Sequence, residues 1–294
     1  MRVLGFGDNI VDRYLDRGMI YPGGNCVNFA VFARQLGAQS SYLGVFGSDE
    51  HGRFLRDAIE AEGVDTRRSV TRDGPSGVSS ISIVQGERVF GGWNGGGVTV
   101  SDPLELDEDL LGYVAGFDLV HSSVYSRSET ELGKIRPSGP LVSYDFSSED
   151  EFRSTGYLRR VCPSVDLALI SCSGLTDTDT EQLLSALVER GAGMALGTRG
   201  SSGAVAYNGQ DYISAPAVPI PATEQPIDTM GCGDAFLTAF AVTLVAGGWS
   251  RSAPPGESEI RNALNAGAAF AARQCLVEGA FGRGVADSGI AVTM

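Results

Sequence analysis

VLGFGD (residues 3–8), PGGNCVNFAVFARQLGA (22–38), SSYLGVFGSDEHG (40–52) and RFLRDAIEAEG (53–63) read in succession as strand, helix, strand and helix. The first and third are apolar runs that end in small polar turns, as strands buried inside a sheet do. The second opens on two glycines and places Val27, Ala30, Val31 and Leu36 at helical spacing, and the fourth closes on Gly63. A β-turn-α rhythm of this kind builds a parallel sheet with helices on its faces, an α/β fold. The rhythm returns in FDLVHSS (117–123), PLVSYDFS (140–147), VDLALISCS (165–173) and GAGMALGTRG (191–200), with the helical run TDTDTEQLLSALVERG (176–191) between the last two. Ligands of open α/β sheets gather at the carboxyl ends of the strands. Asp8, Asn9, Ser122, Asp145, Ser171 and Thr198 are therefore expected along one rim.

Between residues 66 and 98 the pattern changes to short alternating runs rich in Gly, Ser and Thr. Two or three antiparallel strands projecting from the sheet fit it, joined by the segment near Asp12–Tyr21. Two further β runs (202–218) precede IDTMGCGDAFLTAF (227–240), and an alanine-rich helix is expected over 257–274. No linker or repeat divides the chain, so residues 1–294 are expected to form one domain, with a β lid from about 12–22 and 75–98.

Composition excludes several functions. The chain carries 22 Lys and Arg against 36 Asp and Glu, a formal charge of −14. With no basic run, nucleic acid and anionic membrane are poor partners. Lys134 is the only lysine and has no glycine-rich loop before it, which removes the P-loop, protein-kinase and Schiff-base chemistries. His51 and His121 sit in no metalloprotease or triad pattern. The five cysteines, with no Cys-x-x-Cys, read as reduced thiols. The early charges of the N-terminus and the lack of a long apolar run predict a cytoplasmic protein.

Three motifs carry chemistry. In IDTMGCGDAFLTAF, Gly231 and Gly233 flank Cys232 at the start of an apolar helix, where converging amide N–H groups and the helix dipole cradle an anion without a lysine. Asp234 at the mouth of that cradle would repel phosphate, unless its task is to take a proton from the hydroxyl that attacks it. In GDNIVD and PGGNCVN, Asp8 and Asn9 face Gly24, Asn25 and Asn28, an acceptor-and-amide set suited to a polyhydroxylated ligand. The third glycine of a dinucleotide fingerprint would fall on Ile10, which rules that reading out. In TRGSSGAVAY, Thr198, Gly200 and Gly203 form a tight turn with hydroxyl and amide donors.

In this order the three resemble the ribokinase-like (PfkB) carbohydrate kinase family along nearly the whole chain. Gly23-Gly24-Asn25 through Asn28 is similar to its N-terminal motif, Asp228-Thr229-Met230-Gly231-Cys232-Gly233-Asp234 to its C-terminal signature, and Thr198 to Gly203 to its Thr-x-Gly-x-x-Gly turn. Within the family the resemblance narrows to bacterial fructoselysine 6-kinases, through GDNIVD, ERVFGGW (87–93), VHSSVY (120–125) and VSYDFS (142–147). It implies a three-layer fold with a mostly parallel sheet, helices on both faces and a small β-sheet lid. It also implies ATP with Mg²⁺, and leaves room for a monovalent cation such as K⁺ at Asp228 and Thr229.

Carried over residue by residue, Asp234 would be the base, with Gly231, Cys232 and Gly233 holding the transferring phosphoryl group. Asp8, Asn9, Gly24, Asn25 and Asn28 would bind the sugar, with Arg88 for a substrate carboxylate and Trp93 as cover. Thr198, Gly200, Gly203, Asn262 and Asn265 would line the nucleotide site. The substrate implied is a fructosyl-amino acid phosphorylated at its 6-hydroxyl. A kinase of another sugar, sugar acid or nucleoside, and a non-catalytic sensor, stay open as alternatives. The family's Asn-x-x-Glu is absent from SCSGLTDTD (171–179), which leaves the metal ligands unassigned, with Asp177 and Asp179 as substitutes. Exposed lid strands suggest a homodimer formed through the lid.

Overall fold

The computed structural model describes residues 1–84, 87–221 and 223–287. Among these the strands are β1 (Arg2–Gly7), β2 (Ile10–Tyr14), β3 (Met19–Gly23), β4 (Gln39–Gly47), β5 (Val70–Arg72), β6 (Val78–Val84), β7 (Glu87–Trp93), β8 (Leu119–Ser123), β9 (Leu141–Asp145), β10 (Leu167–Ser171), β11 (Met194–Thr198), β12 (Ala204–Tyr207), β13 (Tyr212–Ala215) and β14 (Val285–Ala286). The helices are α1 (Asn25–Gln35), α2 (Glu50–Ala61), α3 (Val98–Ser101), α4 (Glu108–Val114), α5 (Glu129–Ser138), α6 (Asp150–Arg153), α7 (Thr155–Val161), α8 (Asp177–Glu189), α9 (Cys232–Ala246) and α10 (Glu257–Gln274).

The larger sheet runs β13-β12-β11-β10-β9-β8-β1-β4-β5. It is parallel from β11 to β5, and β12 and β13 close it as an antiparallel pair. Its strands alternate with period two between faces that are both covered, so each strand reads as continuously apolar. Leu4, Phe6, Val120, Val142, Ala168 and Ile170 face one helical layer, built from α4, α5, α7 and α8. Val3, Leu119, Leu141, Leu167 and Leu169 face the other, built from α1, α9 and α10. Helix α9 is apolar on every side because it is enclosed, its residues from Asp234 to Val242 being buried against the sheet, α1 and α10.

The second sheet runs β14-β3-β2-β6-β7. It grows out of the junction between β1 and α1, since the β2–β3 hairpin is inserted there. The 66–98 region divides in a way its alternation did not disclose. β5 follows α2 and pairs in parallel with β4, completing a β-α-β unit of the large sheet. β6 pairs in parallel with β2 and antiparallel with β7, with a register shift at Ser80/Ile81. β14 pairs with β3 through Val285 and Ile20, and so brings the far end of the described chain back to the hairpin.

Gly5 lies on β1, an interior strand of the large sheet, in register with Tyr42 on β4 and His121 on β8. A methyl group there would meet the Cys26 carbonyl oxygen at 2.0 Å, which is why α1 can lie so close over β1. His121 is buried against Phe29, with ring centroids 4.7 Å apart, and burial pushes its imidazole down to about 3, so it is a neutral core residue.

Gly5→Ala should therefore overpack backbone against backbone and cost about 1–3 kcal/mol. Urea unfolding checks this: a midpoint equal to that of the unaltered protein would mean that α1 can move off the sheet at no cost.

Candidate active site

β1 ends at Gly7 and β2 starts at Ile10, so Asp8 and Asn9 form the joint between the sheets, and Gly23, which pairs with Ile10, closes the hairpin before the chain enters α1. The Asp8 carboxylate lies across this joint. Its Oδ2 accepts the Asn25 N–H at 2.6 Å, and its Oδ1 accepts the Ser123 and Ser126 hydroxyls at 2.7 and 2.8 Å. Cys26 Sγ stands 2.9 Å from the same Oδ1. Burial first, and the Asp8 charge second, push that thiol well up, so it is a neutral donor. Asn9 turns inward: its amide donates to the Tyr42 hydroxyl at 2.8 Å and to the Val45 carbonyl at 2.7 Å. It braces the joint from below. Gly24 caps α1 at a spot where a side chain would strike Asn9 and Asp8.

The first turn of α1 then presents two asparagines three residues apart, hence on one face. Asn25 Nδ2 donates to Asp145 Oδ2 at 2.7 Å, and Asn28 Nδ2 donates to Asp234 Oδ2 at 2.7 Å. Both carboxyls are buried, at 7% and 8% exposure. Burial is the main cause that pushes the Asp145 carboxyl up to about 7, and the charges of Asp8 and Glu149 add to it. Asp234 is raised well above its ordinary range, by burial first and by the charge of Asp145 second, against the opposing Asn28 hydrogen bond. Among the described residues no Lys or Arg forms an ion pair with Asp8, Asp145 or Asp234. Asn28 Oδ1 is buried and has no partner.

Asp234 stands in the first turn of α9. Gly231 caps that helix in the left-handed conformation at φ 70°, and a Cβ there would press on Ala280 at 2.8 Å. The Cys232 N–H bonds to the Thr229 carbonyl at 3.3 Å, whereas the Gly233 and Asp234 N–H groups meet no acceptor among the described residues. A Cβ on Gly233 would meet nothing within 4 Å, and unengaged amides at a helix start suit an anion. The Cys232 sulfur packs toward α10, 3.1 Å from Cys275 Sγ. Asp228 ties the approach down: it accepts the Tyr14 hydroxyl (2.6 Å) from the second sheet, the Gly279 N–H (3.1 Å) and the Met230 N–H (3.0 Å).

Thr198 ends β11, and the turn through Gly200 to Gly203 leads into β12. A side chain at Gly203 would run into the Ala215 carbonyl at 2.2 Å, so this turn is held against β13 by bare backbone. Arg199 of this turn pairs with Asp177 in the first turn of α8 at 2.5 Å, and Asp179 accepts the hydroxyl of the α8 cap Thr176 at 2.7 Å. Asn262 and Asn265 are exposed on α10, on the face they share with Glu257, Ser258 and Arg261. Trp93, at the end of β7, is 56% exposed. The side chain of Arg88, expected to meet a substrate carboxylate, lies outside the described residues.

The structure thus brings Asp8, Gly24, Asn25, Asn28, Gly231, Gly233 and Asp234 to one place and sets Thr198, Gly200, Gly203, Asn262 and Asn265 along the β11–β13 side. Asp145 is the residue that sequence reasoning put on the rim without a role. Its signal was an aspartate closing an apolar strand in SYDFS; its link to Asn25 spans 120 positions, and only the fold supplies it.

The profile of the pfkB family carbohydrate kinases matches residues 9–282. The fructosamine kinase FrlD of Bacillus subtilis (strain 168) is 36% identical over 285 residues, covering 97% of this chain and 94% of that protein. The fructoselysine 6-kinase of Escherichia coli (strain K12) is 30% identical over 276 residues, covering 94% and 97%. Among solved structures, the Arabidopsis thaliana ribokinase complexed with ribose and ATP superposes with a TM-score of 0.76 at 20% identity, covering 96% of this chain and 95% of that one. A Vibrio cholerae fructokinase holding fructose, ADP and a calcium ion gives 0.71 at 22%, covering 95% and 94%. These two share the α/β ribokinase-like fold, a large mostly parallel sheet with a small second one.

Asp145, held near 7, binds its proton more tightly in the folded chain than at its ordinary value of 3.8. The stability this provides is complete below the unfolded value and is lost as pH rises through about 7. Asp145→Asn removes that loss, so the variant should be the more stable one at pH 8 and should vary less between pH 5 and 8. The gain is bounded by about 1.4 kcal/mol per tenfold difference in proton affinity. Parallel urea-midpoint curves for the two proteins over that range would show that another group titrates there.

Proposed function

Because the chain belongs to the pfkB family of carbohydrate kinases, a phosphotransferase family with an alcohol group as acceptor, we propose that its acceptor is the 6-hydroxyl of a fructosyl-amino acid such as fructoselysine and that its donor is ATP. The names of the relatives at 36% and 30% identity support this substrate class. The observation that carries the mechanism is the placement of Asp234. One buried carboxyl sits at the first turn of α9, beside two unengaged amides, and is held by Asn28.

Asp234 takes the proton of the sugar hydroxyl as its oxygen attacks phosphorus. Its raised proton affinity suits it to that task. The Gly233 and Asp234 N–H groups receive the charge that collects on the phosphoryl oxygens. Asn28, fixed by its bond to Asp234, turns its unpartnered Oδ1 to a sugar hydroxyl, and Asn25 and Asp8 shape the floor beneath. Thr198, Gly200 and Gly203 border the nucleotide, with Asn262 and Asn265 on α10 beyond them.

Trp93 and the second sheet close over the sugar as a lid and exclude water. Among the described residues no three His, Cys, Asp or Glu side chains stand together to cage a metal. Mg²⁺ would arrive on the nucleotide phosphates, completed by water and one or two carboxylates. When bound, Mg²⁺ supplies neutralising charge at the phosphates.

ADP release measured with Mg-ATP over fructoselysine, fructose, ribose, a sugar acid and adenosine tests the reading. Fructoselysine should give the highest kcat/KM, with the product phosphorylated at position 6; preference for another acceptor would replace the substrate and keep the chemistry. Asp234→Asn should lower kcat about 10²–10⁴-fold while ATP affinity stays within a few-fold. Near-normal turnover in that variant would remove Asp234 as the base.

A further inference from the structure

The first turn of α1 carries a pair of clamps. Asn25 and Asn28 each give their amide nitrogen to a different buried carboxyl, Asp145 and Asp234, at 2.7 Å in both cases. Residues three apart on a helix stand about one turn, roughly 5 Å, from each other. The two carboxyls are thus presented side by side, one to react and one with no part in the transfer. The second has unused capacity. Asp145 Oδ1 accepts the Ser147 N–H at 2.7 Å and its Oδ2 accepts Asn25, which leaves one lone pair on each oxygen. Asp8 differs, because its carboxylate already gathers donors from Asn25, Cys26, Ser123 and Ser126.

Beside this pair the buried Asn28 Oδ1 is an acceptor with no protein partner. It indicates that a ligand bearing hydrogen-bond donors completes the site. The surroundings indicate the charge of that ligand. The buried carboxyls of Asp8 and Asp145 both act on Asp234, and none of the three forms an ion pair with Arg or Lys among the described residues. A buried carboxylate is stabilised by a hydrogen-bonded cation far better than by a neutral hydroxyl.

We propose that Asp145 is the specificity residue for the substrate's amine: its two open acceptor sites take the two N–H donors of the secondary ammonium that joins the sugar C1 to the amino acid. This rests on the fructosyl-amino-acid reading and adds to it a reason for the enzyme to reject free fructose. Fructose offers a neutral hydroxyl at C1, which leaves the Asp145 charge uncompensated. The raised proton affinity of Asp145 agrees, since a cation docked on it would displace its proton. Asn25 is the positioning residue that aims the carboxyl.

The test compares three acceptors under Mg-ATP: a fructosyl amine, the ether in which oxygen replaces its amine nitrogen, and fructose. The unaltered enzyme should favour the amine over the ether at least tenfold in kcat/KM. Asp145→Asn keeps an acceptor for Asn25 but loses the charge. It should lower kcat/KM for the amine at least tenfold and bring the amine-to-ether ratio close to one.

An unchanged ratio in Asp145→Asn would overturn the proposal while the substrate class stands. Equal use of amine and ether by the unaltered enzyme would overturn it without reference to any variant, including one that fails to fold. Turnover of another sugar, with neither amine nor ether used, would overturn the substrate reading and this proposal together.

Discussion

The Asp8 carboxylate is the constraint on which the rest of the structure depends. It collects donors from the end of β8, from the turn after it and from the first residues of α1, and its own backbone ends β1. Three elements distant in sequence are thereby fixed within hydrogen-bond reach of one oxygen pair. The second sheet leaves the large one at this joint and returns to it, so the lid and the floor of the site share one anchor. A carboxylate satisfied by several donors is held firmly, and the α1 clamps inherit their position from it. Asp228 does the corresponding work on the far side, joining Tyr14 of β2 to the loop that enters α9.

Against this rigid frame the site itself is electrostatically unfavourable. Asp145 and Asp234 are buried near each other and near Asp8, and each is harder to ionise for it. Burying like charges costs stability, and α1 offsets part of that cost with two asparagine amides. The arrangement makes physical sense as one completed from outside, by a hydroxyl that surrenders its proton and by positive charge that arrives with the ligands. The cradle follows the same logic. It offers amides and a helix dipole, and among the described residues no Lys or Arg forms an ion pair with Asp234.

Much of this was legible in the chain. Strand-turn-helix periodicity located the sheet and both helical layers, and IDTMGCGDAFLTAF marked the glycine-capped start of α9 with Asp234 in its first turn. Other residues were legible as types but not as roles. Asn9 reads like Asn25, a polar residue at a strand end, yet its amide points under the sheet to Tyr42 and Val45. Asp177 and Asp179 read as substitutes for the missing metal ligands; both lie in the first turn of α8, where Asp177 pairs with Arg199 and Asp179 accepts the Thr176 hydroxyl. Asp145 read as one rim residue among six. What separates these cases is side-chain direction, and local pattern does not encode it.

The division has a physical reason. Backbone conformation and burial follow from short-range rules: glycine at a left-handed cap, period-two apolar strands, an all-apolar helix that must be enclosed. Those rules act over a few residues, so the sequence by itself determined the fold and set Gly231, Gly233 and Asp234 at the start of α9. Whether two polar side chains meet depends on how distant strands register and how a helix is rotated over them. The contacts Asn25–Asp145, Asn28–Asp234 and Tyr14–Asp228 join positions 120, 206 and 214 residues apart. Only the tertiary structure decided those pairs, because their energy depends on packing around Gly5 and the Asp8 joint that no single segment contains.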